Sequence, residues 1–144
     1  MNHHTLKILL LSILTLIPAL NCRAQSRRVQ HTYNQQQLVR VYEYDYVDIQ
    51  PQFPGGDCEM INFINNERKY PSTAYQNNIQ GRVLCRFIVN TDGSISNIEV
   101  IRGVEESLNR EAVRVISAMP RWKAGRKGDE NVPVSYILPI PFRR

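Results

Sequence analysis

Apolar and polar positions alternate most strictly in two stretches near the end of the chain. From Arg82 to Val89, the residues Val83, Cys85, Phe87 and Val89 share one parity, the period-two signature of a half-buried strand. The stretch Val132-Pro-Val-Ser-Tyr-Ile-Leu-Pro-Ile-Pro-Phe142 goes further. Val132, Val134, Tyr136, Leu138, Ile140 and Phe142 are all even-numbered, while Pro133, Pro139 and Pro141 are all odd. In a strand, residues of one parity point both N–H and C=O at the same neighbour. Prolines confined to one parity therefore cost no ladder bond if that side is a sheet edge. The pattern predicts an edge strand at Val132–Phe142, a surface to which another chain can add a strand. Among those odd positions only Ser135 and Ile137 carry an N–H, which predicts a short docking register centred on Ser135–Ile137.

Between these strands the pattern predicts a hairpin and a helix. Asn90-Thr-Asp-Gly93 supplies the turn, with Gly93 suited to positive φ. The returning strand, Ser94 to Ile101, slips parity: Ile95 and Ile98 are three apart, Ile98 and Val100 two apart. A bulge near Ser96-Asn97 reconciles them. Ser107 is placed to cap a helix whose stripe is Leu108, Ala112, Val115 and Met119, stopped by Pro120. Arg121 to Asn131 is expected to be a loop. Upstream, Asp57 is placed to cap a helix beginning near Cys58, with Met60, Phe63 and Ile64 on one face. Tyr70-Pro71 breaks it, and a shorter helical turn follows through Ala74 and Tyr75. A strand–helix–strand crossover makes its two strands parallel, so the last strand falls beside the first. The expected fold is α+β: a three-stranded antiparallel sheet of order 2-1-3, covered on the Val83–Cys85–Phe87 face by two helices.

The N-terminal segment reads differently. Lys7 precedes the apolar run Ile8–Leu20, followed by Asn21-Cys-Arg-Ala-Gln25. That run is shorter than the roughly 20 residues a membrane helix needs and suits a secretory signal, cut before Gln25 with Cys22 and Ala24 as the small residues. A lipoprotein acylated at Cys22 and an uncleaved short anchor are the alternatives. The expected organisation is 1–24 signal peptide or anchor, 25–51 flexible leader, and 52–144 folded domain. Within the leader, Tyr42, Tyr44 and Tyr46 alternate with Glu43 and Asp45. That part either lies along the domain as an extra strand or stays partly disordered.

The formal net charge of +5 falls to +3 (5 − 2) once Lys7 and Arg23 are removed, a mild excess that reads as solvated loop and tail. An exported chain without a binding motif for nucleic acid gives no reason to expect that partner. Cys58 and Cys85 remain, and in an oxidising compartment they either pair as a disulfide or stay as two buried free thiols. Catalytic chemistry is not expected: His31 lies in the leader, and no zinc spacing, nucleophile elbow or phosphate loop appears. No cofactor is implied.

One set of residues carries a resemblance: Tyr70-Pro71, Ala74, Ile79-Gln-Gly-Arg-Val83, Phe87, Asp92-Gly-Ser-Ile95, Val100, Glu111-Ala112, Met119-Pro-Arg-Trp122, Gly125, Gly128, Val132, Val134, Pro139 and Phe142. From about Gln52 to Phe142 the chain resembles the TonB C-terminal domain family, and Phe53-Pro-Gly-Gly56 matches its Bacteroidetes forms. The resemblance implies a periplasmic domain that docks to TonB-dependent outer-membrane receptors. A receptor segment, the TonB box, adds a strand to the final strand in support of energy-dependent transport. It implies as partner-binding residues Tyr70, Pro71 and the residues just before them, with Val132, Val134, Ser135, Tyr136, Ile137 and Leu138, and as a further partner an ExbB/ExbD-type inner-membrane motor if the N-terminus is uncleaved; a homodimer through edge strands is an alternative use of the open edge. Glu67-Arg68-Lys69 stands where the enterobacterial form has a glutamine- and proline-containing stretch. Trp122-Lys-Ala-Gly125 stands where the family often has Trp-x-Pro-Gly. A cleaved chain would instead act as a non-transducing interaction or adaptor module.

Overall fold

The computed structural model describes residues 31–34 and 37–144; the expected signal segment, 1–24, lies outside them. The first strands, β1 (His31–Asn34) and β2 (Gln37–Arg40), pair antiparallel with each other. After β3 (Tyr42–Glu43) and a 3-10 turn at Tyr44–Tyr46 come the helices α1 (Asp57–Glu67) and α2 (Ser72–Gln76). The strands β4 (Gly81–Val89) and β5 (Ile95–Arg102) form the hairpin, α3 spans Glu106–Ser117, and β6 (Gly125–Lys127) and β7 (Glu130–Val132) precede β8 (Val134–Phe142). The main sheet has the order β3-β8-β4-β5.

The three strands expected from the alternation are β4, β5 and β8, and β4 lies between the other two. The order 2-1-3 therefore holds within a sheet that has a fourth member. β4 and β8 pair from Gly81↔Phe142 to Val89↔Val134 without a register shift. Their shared face carries Val83, Cys85, Phe87 and Val89 with Val134, Ile140 and Phe142, each 0% exposed. Leu108, Ala112, Val115 and Ile116 of α3, and Met60 and Ile64 of α1, complete that core. Trp122 lies within it, edge-on to Phe53 and Phe87.

The helices are held to each other as well as to the sheet. The Arg114 guanidinium on α3 bonds Glu111 and, across to α1, both the carboxylate and the C=O of Glu67. Lys69 N–H donates to Glu111, closing the same cluster. This fixes where α1 ends, and hence where Arg68 emerges.

Several local expectations are corrected. Gly56, not Asp57, is the N-cap residue of α1; Asp57 occupies the first turn, where an acid favours the helix dipole. Glu105 caps α3 by accepting from the Ser107 hydroxyl and the Ser107 N–H, which together hold its carboxyl below the usual range. Ser107 serves as a donor there. The 121–131 loop contains the β6–β7 hairpin. The bulge expected near Ser96-Asn97 is present opposite Phe87, with Asn97 at φ 51°, and a second irregularity lies near Leu84.

The larger correction concerns the edge. β3 pairs parallel with β8, Tyr42 opposite Val134 and Glu43 opposite Ser135, and Tyr42 N–H donates to the Pro133 C=O at 2.9 Å. The first part of the last strand is thus an interior strand. Val47, 7% exposed, explains why: it buries against Val132 and Val134, while Ile49 and Gln52 bridge to Arg126 and Lys123. The segment of alternating tyrosines lies along the domain.

Gly93 binds the hairpin turn to the core. Its φ is 82°, and a Cβ there would stand 1.9 Å from the Trp122 C=O; Gly93 C=O in turn accepts from Trp122 N–H at 2.9 Å. Gly128 also has positive φ, 58°, but nothing lies within 4 Å of its Cβ position. Denaturant unfolding of Gly128→Ala should show a loss of about 1 kcal/mol, the backbone cost alone. Gly93→Ala should lose at least about 3 kcal/mol, because the clash is with backbone. Equal losses would refute the proposed close approach.

Candidate functional site

The two sides of β8 differ chemically because its prolines are all on one parity. Pro139 faces Leu84 and Pro141 faces Arg82 in the β4 register. Neither can donate, so those are non-hydrogen-bonded pairs and the even residues Tyr136, Leu138, Ile140 and Phe142 carry the bonds to β4. The odd residues direct N–H and C=O outward. At Ser135 that outward side is taken by β3, and Ser135 is only 8% exposed. Beyond it the 3-10 turn at Tyr44–Tyr46 leads the chain away from the ladder. Ile137 is 52% exposed and Pro139 is exposed.

At the far end, the Arg68 guanidinium donates to the Pro141 C=O. The free outer edge therefore offers one donor, Ile137 N–H, and two acceptors, the carbonyls of Ile137 and Pro139. The expected register centred on Ser135–Ile137 is shifted by about one strand step toward Pro139, because β3 already fills the Ser135 position.

A cleft opens at each end of this edge. One, of about 330 Å³, is lined by Glu43, Tyr44, Asp45, Ser135, Tyr136 and Ile137. The other, of about 360 Å³, is lined by Asn65, Arg68, Arg82, Pro139, Pro141 and Arg143.

The residues expected to bind a partner are not all brought together. Val132, Val134 and Leu138 are buried, at 8%, 0% and 5% exposure, and act as scaffold. Tyr136 points into the core: its ring stacks on Phe87 at 5.6 Å and meets Trp122 edge-on at 5.0 Å. Burial raises its phenol above the ordinary value, with Tyr44 and Asp57 adding to the effect. Tyr44, however, contacts Tyr136 at 5.4 Å and carries that surface to the lip of the first cleft. Tyr70 donates its hydroxyl to the Ile79 C=O and packs edge-on against Phe142 at 5.7 Å. Pro71 adjoins α2. Both stand at the Phe142 end, roughly 20 Å from Ser135 at a strand's rise of about 3.3 Å per residue.

Ser135 and Ile137 lie at the edge itself. Sequence reasoning missed Glu43, Tyr44 and Asp45 as its neighbours, while Arg68 falls among the residues just before Tyr70-Pro71 that the resemblance implied. The alternation around Tyr44 was visible, but its pairing partner was not.

Of the two outcomes open for the cysteines, the structure has free thiols, with only one of them buried. Cys58 is exposed on α1, Cys85 is buried in β4, and both are free. Burial pushes the Cys85 thiol from 9.0 up to about 11, which keeps it protonated and unreactive at neutral pH. Among the described residues, no group of three or more His, Cys, Asp or Glu side chains could hold a metal ion. No described helix is long and apolar enough to cross a membrane.

The chain is similar to known proteins. The family model described as Gram-negative bacterial TonB protein C-terminal matches residues 66–143, more than half of the chain. The TonB protein of Helicobacter pylori strain J99 is 32% identical over 80 residues, and that of strain 26695 is 34% identical over 78 residues. Each match spans 52% of this chain but only 28% and 27% of those relatives. Two NMR solution structures of the H. pylori TonB C-terminal domain are also similar. One is 27% identical, covering 60% of this chain and 90% of that one with a TM-score of 0.46. The other is 28% identical, covering 63% and 88% with a TM-score of 0.42.

The thiols give a direct check on the core. Iodoacetamide at pH 8, followed by peptide mapping of the folded chain, should label Cys58 and leave Cys85 unmodified until denaturant is added. Because the folded thiol holds its proton up to about pH 11, its contribution to stability is complete below about pH 9 and is lost as pH rises through 11. A Cys58–Cys85 linked peptide, or equal labelling of both in the native state, would contradict this arrangement.

Proposed function

The chain belongs to the TonB C-terminal family, and on that premise we propose that it docks to TonB-dependent outer-membrane receptors from the periplasm by β-strand addition at the outer edge of β8. The observation that supports this most is the half-open edge itself. β8 is rigidly held from its inner side over its whole length, yet beyond Ser135 its outer ladder side meets no strand. A rigid strand with one open side is a preorganised template, so an incoming segment bears the cost of ordering alone.

The edge is also narrow. Ile137 provides a donor and an acceptor, Pro139 an acceptor, and Pro141 is already bonded to Arg68. Such an edge accepts a short segment and resists lengthwise sheet growth, as native edge strands that carry prolines do. Alternate side chains of the added strand would fall into the cleft beside Tyr44 and Tyr136, an aromatic-lined place for an apolar residue. In a transporting cell this docking is the step by which the family's energy-dependent transport reaches the receptor. Any pull transmitted from an inner-membrane motor would arrive through the residues before Tyr42 and load the β3–β8 pairing.

Ile137→Pro tests the reading because it removes the remaining outer donor without touching the inner ladder. Binding of peptides copied from the N-terminal segments of the organism's own TonB-dependent receptors should fall at least tenfold, with the circular dichroism spectrum retained. Ile137→Thr, which keeps the N–H, should bind within about threefold of the unmodified chain. Undiminished binding by a folded Ile137→Pro variant would defeat the proposal.

A further inference from the structure

We infer that residues 28–30 of this chain, which precede the described residues, form the outermost strand of the main sheet, added to the outer side of β3 with Arg28 opposite Glu43. The inference concerns β3, not the free stretch of β8, and goes beyond the docking reading.

β3 stands at the end of the sheet order, with no described strand on its outer side. Tyr42 N–H donates inward, to the Pro133 C=O at 2.9 Å. Alternation therefore turns the N–H and C=O of Val41 and Glu43 outward. The β1–β2 hairpin arrives with the matching phase. Asn34 faces Gln37 across two intervening residues, and His31 faces Arg40. The closing pair of a two-residue connection exchanges both of its bonds, and every second pair beyond it does the same. Continued past His31, that register puts Gln30 opposite Val41 and Arg28 opposite Glu43, both as bonded pairs. The pairing with β8 and the pairing within the hairpin thus independently assign Val41 and Glu43 to the same outer ladder.

The side chains suit this register, since directly opposite residues share a face. Tyr42 packs against Val47, Val132 and Val134, and the residue that falls opposite it is Val29. Val41 and Glu43 are on the other face, where with Arg86, Ile88, Glu99 and Ser135 they line a cleft of about 400 Å³. Arg86 and Glu99 are paired with each other there, whereas Glu43 forms no ion pair among the described residues. Arg28 supplies the missing cation. The apolar residue meets the apolar side and the basic residue meets the acid, a match that a slip of one residue would reverse.

A strand added here covers an edge that native sheets rarely leave bare. The chain's own segment is favoured over a strand from another molecule because the hairpin already returns the chain to within one residue of Val41. Closing three more pairs then needs little further ordering, at the high effective concentration of a tethered segment.

Amide exchange followed by NMR on the full chain tests this. The N–H groups of Val41 and Glu43 should exchange at least tenfold more slowly than in a variant lacking residues 25–30, in which Tyr42 N–H stays protected by Pro133. Gln30→Pro, which removes a donor of the added strand, should lose most of that protection, and Gln30→Ala should keep it. Arg28→Glu should speed exchange at Glu43 about two- to fivefold, the scale of a cross-strand charged pair, and the paired reversal R28E/E43R should restore it.

Fast exchange at Val41 and Glu43 in the full chain overturns the inference, as does protection that survives loss of residues 25–30. A paired reversal that restores nothing overturns the register. Protection that grows with protein concentration and is missing from the monomer assigns this edge to a second copy and overturns the inference too. Peptide binding at Ile137 is read separately and is unaffected by any of these results.

Discussion

The antiparallel ladder between β4 and β8, bonded through the even-numbered residues of β8, is the constraint from which the rest of the molecule follows. It commits Val134, Leu138, Ile140 and Phe142 to the core, where all are buried, and aligns them with Val83, Cys85, Phe87 and Val89 across a single unbroken register. Because inner bonding uses only one parity, the other is free to hold prolines without cost to the ladder. The same division of parity leaves outward-facing carbonyls that a rigid strand cannot satisfy from within. The buried core and the open edge thus come from one strand, read on opposite sides.

Around that ladder the chain limits how much of the edge remains open. β3 covers Ser135 from one end, and Arg68 caps Pro141 from the other. Each closure depends on a distant anchor. Val47 packs on Val132 and Val134, and the position of Arg68 depends on the Arg114 cluster that ties α1 to α3. A long bare edge would invite aggregation. A fully covered one would leave no place for a partner. The gap of a few residues at Ile137–Pro139 lies between these limits, with acid at one side and base at the other.

Much of this was legible in the sequence, because the strongest signals were periodic and local. The parity of Val83–Val89 and Val132–Phe142 specified which faces are buried, and the stripe at Leu108, Ala112 and Val115 placed α3. Local chemistry was less decisive at the caps. Asp57 and Ser107 are both good capping residues, yet neighbouring Gly56 and Glu105 took the cap positions. The pairing of β3 was beyond pattern reading. Two strand residues beside a buried valine carry little periodicity, and nothing local specifies which edge they join. Tyr70 shows the opposite difficulty: its place beside Pro71 resembles a docking residue, while its hydroxyl and ring are engaged within the domain.

Residue-specific amide hydrogen exchange along β8, with and without a receptor segment, tests the central claim most directly. In the free chain, the N–H of Ile137 should exchange quickly although it lies between the protected amides of Tyr136 and Leu138. On addition of the segment it should become protected, while exchange at those two neighbours changes little. An Ile137 amide already as protected as that of Leu138 in the free chain, or one that stays unprotected when the segment is bound, would contradict the account.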